Sequence, residues 1–255
     1  MKFFRHRQNI LLITLPWVLV IVLLKYCAHY FGIEFLALNT LFTAIISANV
    51  FLLGFLLAGV LADYKESERL PGELTVAIEA IVDEVTALRA TKAPPEAEEC
   101  LRYLHGFVGT LKEWLHKNER THRVLEDIRG LNAFFIAFEQ HLPANFIVRL
   151  KQDQSSLRRQ VLRIDTIRDT SFVASGYRVA QLNSLFLIVG LIFLSLDPFS
   201  NALFFTAVIS FLFLYMLALI HDLDNPFSFN GTGAEEVSMK LLDDLEERLV
   251  SVQKR

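Results

Sequence analysis

Four long runs of apolar residues decide what this chain can be. They extend from Ile10 to Leu24, from Leu36 to Ala62, from Leu182 to Leu196 and from Phe199 to Ile220. A bilayer core of ~30 Å takes about 20 helical residues. The second and fourth runs reach that length outright. The first reaches it by continuing past Lys25 toward Phe31, and the third by starting near Gln181, with both polar side chains at headgroup level. Backbone in hydrocarbon must satisfy its own N–H and C=O groups, so the runs predict four transmembrane helices. Of the 255 residues, 53% are hydrophobic, and the mean hydropathy is +0.39. That is too apolar for an ordinary soluble domain.

The order of charges gives a topology. Lys2, Arg5 and Arg7 precede the first run, which places the N-terminus in the cytoplasm. The flank "KYCAHYFG" is bulky and lacks a small-residue cleavage site, so the first run reads as a retained helix and not a signal peptide. The 25–35 connection and the "DPFSN" link at 197–201 then face outside. Residues 63–181 and everything after Ile220 return inside. The expected chain is an all-α, multi-pass protein of the cell (inner) membrane with both termini cytoplasmic. Its divisions are 1–62 (first two spans), 63–181 (cytoplasmic helices), 182–220 (a hairpin of spans) and 221–255 (a cytoplasmic tail).

The cytoplasmic part also reads as helices. Leu74, Ile78, Ile81, Val85 and Leu88 fall on one face of a helix expected to begin at Pro71. "APPE" ends it. Leu101, Leu104, Val108, Leu111 and Leu115 repeat the spacing, as do Val124, Ile128, Leu131, Phe135 and Phe138. A last helix starts near Asn145. Acidic side chains dominate 63–99 and basic ones 100–181, so a bundle could pair the two. Arg158, Arg159, Arg163, Arg168 and Arg178 read as a positive-inside flank, or as a basic lining for anions and lipid headgroups.

Several chemistries find no support. The formal net charge of −3 gives no footprint for nucleic acid. No phosphate-binding loop, dinucleotide fingerprint or HExxH is present, and no nucleophile–base pair or metal-ligand spacing appears, so an enzyme or a resident cofactor is not expected. Cys27 and Cys100 read as separate thiols. "NGT" at 230–232 falls on the cytoplasmic side and reads as a turn rather than a glycosylation site.

The second run is the informative one. Its Asn39, Thr43, Ser47, Phe51, Phe55 and Gly59 recur every fourth residue, a row that drifts slowly around a helix. Polar groups in lipid are costly, so this row should meet other helices or water. Ser47, Gly54, Ala58 and Ala62 equally suit close helix packing. Spacing alone leaves both readings open.

"NVFLLGFLLAG" followed by "YKESERLPGEL" resembles the pore helix of the bestrophin family, with its F-x-L-G-F core and a charged stretch ending in Leu-Pro. "HDLDNPFSFNG" after the fourth run is similar to the bestrophin N-P-F segment. The chain looks most like the bacterial bestrophin-type channel homologues. The resemblance implies a homopentamer with the second helix around a central axis, passing small monovalent ions, chiefly anions such as chloride. Phe51 and Phe55 would form aromatic rings that gate by dewetting. Ser47 would stand at the constriction where bestrophins usually have a bulky aliphatic residue, and Asn39 and Thr43 would line the outer pore. Implied partners are further copies of the chain, membrane lipids and small inorganic ions. Asp222, Asp224, Asn225, Pro226 and Phe227 form the segment after the last span. The family's calcium-clasping acidic run is missing there, so no calcium site is expected, and these residues read as caps or subunit contacts. A monovalent cation channel, or a non-conducting scaffold or sensor with a partner-binding bundle, are the other readings.

Overall fold

A computed structural model describes residues 3–116, 119–169, 174–224 and 240–253. Among them are eight helices and two short strands. In order these are α1 (Phe3–Tyr30), β1 (Leu36–Ala37), α2 (Thr40–Lys92), α3 (Pro95–Leu115), α4 (Thr121–Phe138), α5 (Ala144–Asp169), α6 (Ala174–Phe193), β2 (Leu194–Ser195), α7 (Phe199–Leu223) and α8 (Lys240–Gln253). Four helices, α1, α2, α6 and α7, are long and apolar enough to cross a membrane.

Contacts divide the chain into two compact units. The first holds α1, β1, α2 as far as Tyr64, α6, β2 and α7. Here α1 packs on α6 and α7, and α6 on α7. Leu53, Leu56 and Val60 of α2 are buried with Leu187 and Ile188 of α6 and Phe213 of α7. The buried face of α7 carries small residues, Ala202, Thr206 and Ser210, the kind that lets helices approach without a hydrophobic driving force. β1 and β2 form a two-residue parallel ladder, Leu36 opposite Leu194 and Ala37 opposite Ser195.

The second span therefore does not begin at Leu36. Leu36 and Ala37 are extended against β2, and α2 starts at Thr40 with Asn39 as its cap. The helix that carries the third run, α6, begins at Ala174 and stops at Phe193, where the chain turns into β2.

The second unit is a helical bundle of α2 from Lys65 onward with α3, α4, α5 and α8. Each apolar row read from the sequence is inside it: Leu74, Ile78, Ile81, Val85 and Leu88, the α3 set, and the α4 set are all buried in one core. Pro71 does not begin a helix. It lies within α2, which runs through it unbroken. An interior proline costs ~3 kcal/mol. Burying Leu70 and Leu74 on either side, at about 1.5–3 kcal/mol each, outweighs that. α2 ends where Ala93 adopts a positive φ of 45°, ahead of Pro94, which disfavours helical backbone in the residue before it.

Carboxylates of α2 do meet arginines of α5. Arg163 grips Glu66 through two bonds of 2.7 and 2.6 Å, and Arg149 lies 3.2 Å from Glu84. The tail, expected to be only a segment, contains α8. Its Leu242, Leu245 and Leu249 are buried in the bundle core, and Arg248 reaches Glu79 and Asp83 of α2.

Candidate functional site

The outward face of α2 is built from its first turn. Asn39 accepts a hydrogen bond from the Phe42 N–H through its side-chain oxygen at 2.8 Å, the capping geometry that satisfies an orphan donor. Its side-chain oxygen is thus engaged in starting the helix. One turn on, the Thr43 hydroxyl donates to the Asn39 carbonyl at 3.1 Å, and the Ser47 hydroxyl donates to the Thr43 carbonyl at 3.0 Å. Each hydroxyl spends its proton on the backbone and keeps its oxygen free to accept.

Asn39, Thr43, Ser47, Phe51 and Phe55 are all exposed on the surface of the chain. Phe51 is 77% exposed and Phe55 62%. The buried face of the same stretch is Asn49, Leu53, Leu56 and Val60. At ~100° per residue, Ser47 and Phe51 stand about 160° to either side of Asn49. The row is therefore turned away from the chain's own core. Gly54, Ala58 and Ala62 are exposed as well, so these small residues do not provide packing within the chain; Ala202, Thr206 and Ser210 of α7 are the small residues buried there.

Sequence reasoning missed three polar residues that hold this helix in place. Asn49 is fully buried. Its amide donates to the Ser184 hydroxyl at 2.9 Å, and its side-chain oxygen accepts from the Asn183 amide at 2.9 Å. An amide inside a membrane-length run is itself a signal, because such groups require partners in hydrocarbon.

Lys25 does not project from the protein surface. Its side chain is fully buried, and its ammonium binds the Glu34 carboxylate and the carbonyl oxygens of Leu194 and, at 3.3 Å, Ile192. It thus ties the carbonyl end of α6 to the α1–α2 connection. His29 Nδ1 lies 2.9 Å from the other Glu34 oxygen, and its ring stacks on Phe199 with centroids 3.7 Å apart. Burial works to raise the Glu34 carboxyl, but His29 and Lys25 outweigh it and hold it below the ordinary carboxylate value.

The five arginines read as a lining separate by role. Arg163 is committed to Glu66. Arg168 donates to the Trp114 carbonyl at 3.0 Å and lies 5.1 Å from the centre of the Trp114 ring. Arg158, Arg159 and Arg178 are exposed. Asp222 and Asp224 are half-buried at the end of α7, where the Asp224 N–H closes the helix on the Ile220 carbonyl at 3.0 Å. Asn225, Pro226 and Phe227 lie outside the described residues. Among the described residues, no group of three His, Cys, Asp or Glu side chains is placed to hold a metal ion.

No protein-family model matches the sequence, and no curated protein matches it. Solved structures do. The crystal structure of a bacterial bestrophin homologue from Klebsiella pneumoniae superposes with a TM-score of 0.78 at 15% identity, covering 96% of this chain and 99% of that one. A variant of the same homologue gives 0.76 at 16% identity, covering 93% and 98%. A crystal structure described as that of a membrane protein gives 0.78 at 15% identity, covering 95% and 99%. With four membrane-length helices, a separate helical bundle and this match over nearly the whole chain, the fold is that of the bestrophin-like membrane proteins.

Proposed function

We propose that copies of this chain assemble, as a pentamer, around a shared axis and conduct small monovalent ions passively, anions such as chloride, through a passage lined by α2. Phe51 and Phe55 form its hydrophobic gate, Ser47 stands beside the gate, and Asn39 and Thr43 line the outer part. The protein sits in the cell (inner) membrane with both termini cytoplasmic.

The observation that carries this reading is the direction of the α2 row. Thr43 and Ser47 turn away from the chain's own core with an oxygen each still free to accept a hydrogen bond, which water or another protein chain can supply and lipid cannot. Placing the row on a symmetry axis supplies both. Two rings of bulky aromatic side chains then close the bore by excluding water, and a rotamer change opens it. The likeness to bestrophin homologues supports the same arrangement.

Two features favour anions. The first turn of α2 holds no acidic residue, so the positive end of the helix dipole is uncompensated at the outer mouth. The nearby Glu34 is engaged by Lys25 and His29. Positive ring edges of phenylalanine add to this where they point inward.

The test is purified protein in a planar bilayer under a KCl gradient, wild type beside Phe51→Ala and Phe55→Ala. The expected result is a reversal potential on the chloride side and larger steady currents in both variants. Reversal on the potassium side replaces the anion reading with a monovalent cation channel. Stable oligomers without conductance in any of the three proteins reject the channel and leave a scaffold or sensor.

A further inference from the structure

α2 alone does not choose which of its sides faces inward. Between Thr40 and Ala62 it is apolar nearly all round, and a turn about its axis would still offer leucines to the core: Leu57 and Leu61, which share a face, in place of Leu53 and Leu56. Apolar packing tolerates such exchanges when volume is kept. Hydrogen bonds do not, because their partners sit at fixed places.

Two contacts with α6 mark those places. Asn49 uses both ends of its amide, donating to Ser184 and accepting from Asn183. Asn49 and Ser184 are both fully buried or nearly so. About two turns toward the start of α2, the Phe42 ring sits over Gly190, where an added Cβ would stand 2.8 Å from Phe42 Cε2. A side chain at position 190 would displace that ring. The pairs run in opposite senses, 42 with 190 and 49 with 183 and 184, so the helices lie antiparallel with the same spacing, ~10 Å, between contacts on each. Two contacts at matched spacing define both the roll and the axial register of one helix on the other.

We propose that the Asn49–Asn183–Ser184 hydrogen bonds, seated by Phe42 on Gly190, are the lock that sets the roll of α2 and so selects Ser47, Phe51 and Phe55 as the residues facing the passage; this rests on the channel reading above. Asn49 is a positioning residue. It lies opposite Ser47 and Phe51 and acts on them through the helix. Rolling α2 out of this register strands an amide, a second amide and a hydroxyl in an apolar environment.

The test reads roll directly. In a Cys27→Ser background, the remaining native thiol is the fully buried Cys100. Ser47→Cys and Val50→Cys are introduced separately, and the oligomer in liposomes is labelled with a charged, water-soluble maleimide while current is recorded in parallel. Cys at position 47 should label at least tenfold faster than at 50, and its labelling should block current. Asn49→Leu should collapse that rate ratio at least tenfold while the oligomer stays assembled. The exchange Asn49→Ser with Ser184→Asn should restore the ratio, which loss of stability alone would not predict. Should Asn49→Leu fail to assemble, Asn183→Leu and Ser184→Ala each remove one bond from the other helix and are read in the same way. An unchanged 47-to-50 ratio in an assembled lock variant overturns the proposal and assigns the roll to apolar packing. A position 47 that neither labels nor blocks current before any lock mutation overturns the channel reading first.

Discussion

The Lys25 ammonium lies fully buried against the Glu34 carboxylate, with the carbonyls of Ile192 in α6 and Leu194 in β2 completing its shell. Removing one member of a buried pair leaves the other uncompensated, which costs about 3–5 kcal/mol. Glu34→Gln should therefore lower the thermal stability of the detergent-solubilised protein by that order. Lys25→Met should cost less, since it removes the buried charge and leaves Glu34 with His29. Equal losses in the two variants, measured by thermal unfolding, would contradict the buried ammonium as the costly partner.

The same pair sets an acid limit. The Glu34 carboxyl titrates below its ordinary value of 4.5 in the folded chain. A depressed carboxylate contributes stability that is complete above the unfolded value and is lost as pH falls through the folded one. The stability gap between wild type and Glu34→Gln should be constant above pH 5 or so and shrink as pH drops below about 4.5. A gap that persists to the acid end of a pH series of melting curves would argue against a charged Glu34.

Helix α8 is held by apolar burial more than by its ion pairs. Leu245 is buried, and Leu→Ala at such a site costs about 2–5 kcal/mol. Lys112, which pairs with Asp243 and Glu246 of α8 at 2.6 Å each, is partly exposed, so Lys112→Ala should cost about 1 kcal/mol or less. Limited proteolysis should release α8 from Leu245→Ala well before Lys112→Ala.

Gly130 of α4 lets α3 come close. A Cβ there would lie 2.2 Å from the Tyr103 hydroxyl oxygen, which donates to the Asp127 carbonyl at 2.7 Å. Gly130→Ala must push that ring aside, at about 1–3 kcal/mol, whereas Tyr103→Phe loses only the bond, at about 1 kcal/mol. Chemical or thermal unfolding of the two variants ranks them.

Ser47→Phe adds bulk beside the proposed gate without touching the buried face of α2. Under the proposed function it should conduct several-fold less than wild type in the same bilayer. A variant that conducts no less would mean that the row does not face the passage.

Local pattern made much of the bundle legible. Leu74, Ile78, Ile81, Val85 and Leu88 are buried where helical periodicity put them, because a helix with one apolar face has only one way to hide it. The same logic could have found α8 from Leu242, Leu245 and Leu249, but its charged surroundings hid the spacing. Pro71 was misleading for a different reason. Its local preference for a first turn is worth less than the two leucines buried beside it.

The site was legible only in part. Asn39, Thr43, Ser47, Phe51 and Phe55 stand out by spacing, and all are exposed on the chain's surface. Their periodicity could not say whether they face a core, lipid or another chain, because a helix apolar on every side has no preferred inward face in hydrocarbon. Asn39 is a cap as well as a member of the row, which depends on where the helix starts, and that start depends on β1 pairing with a strand far along the chain.

From its residues alone, this chain is committed to four membrane-length helices and a bundle of amphipathic ones, since length and periodicity are local quantities that the solvent reads directly. Which side of α2 is hidden, where Lys25 places its charge and how α8 docks were decided by tertiary contacts. Each depends on a partner many residues away — Ser184 for Asn49, Leu194 for Lys25, Asp83 for Arg248 — and the cost of an unpaired polar group is counted only once the helices have met.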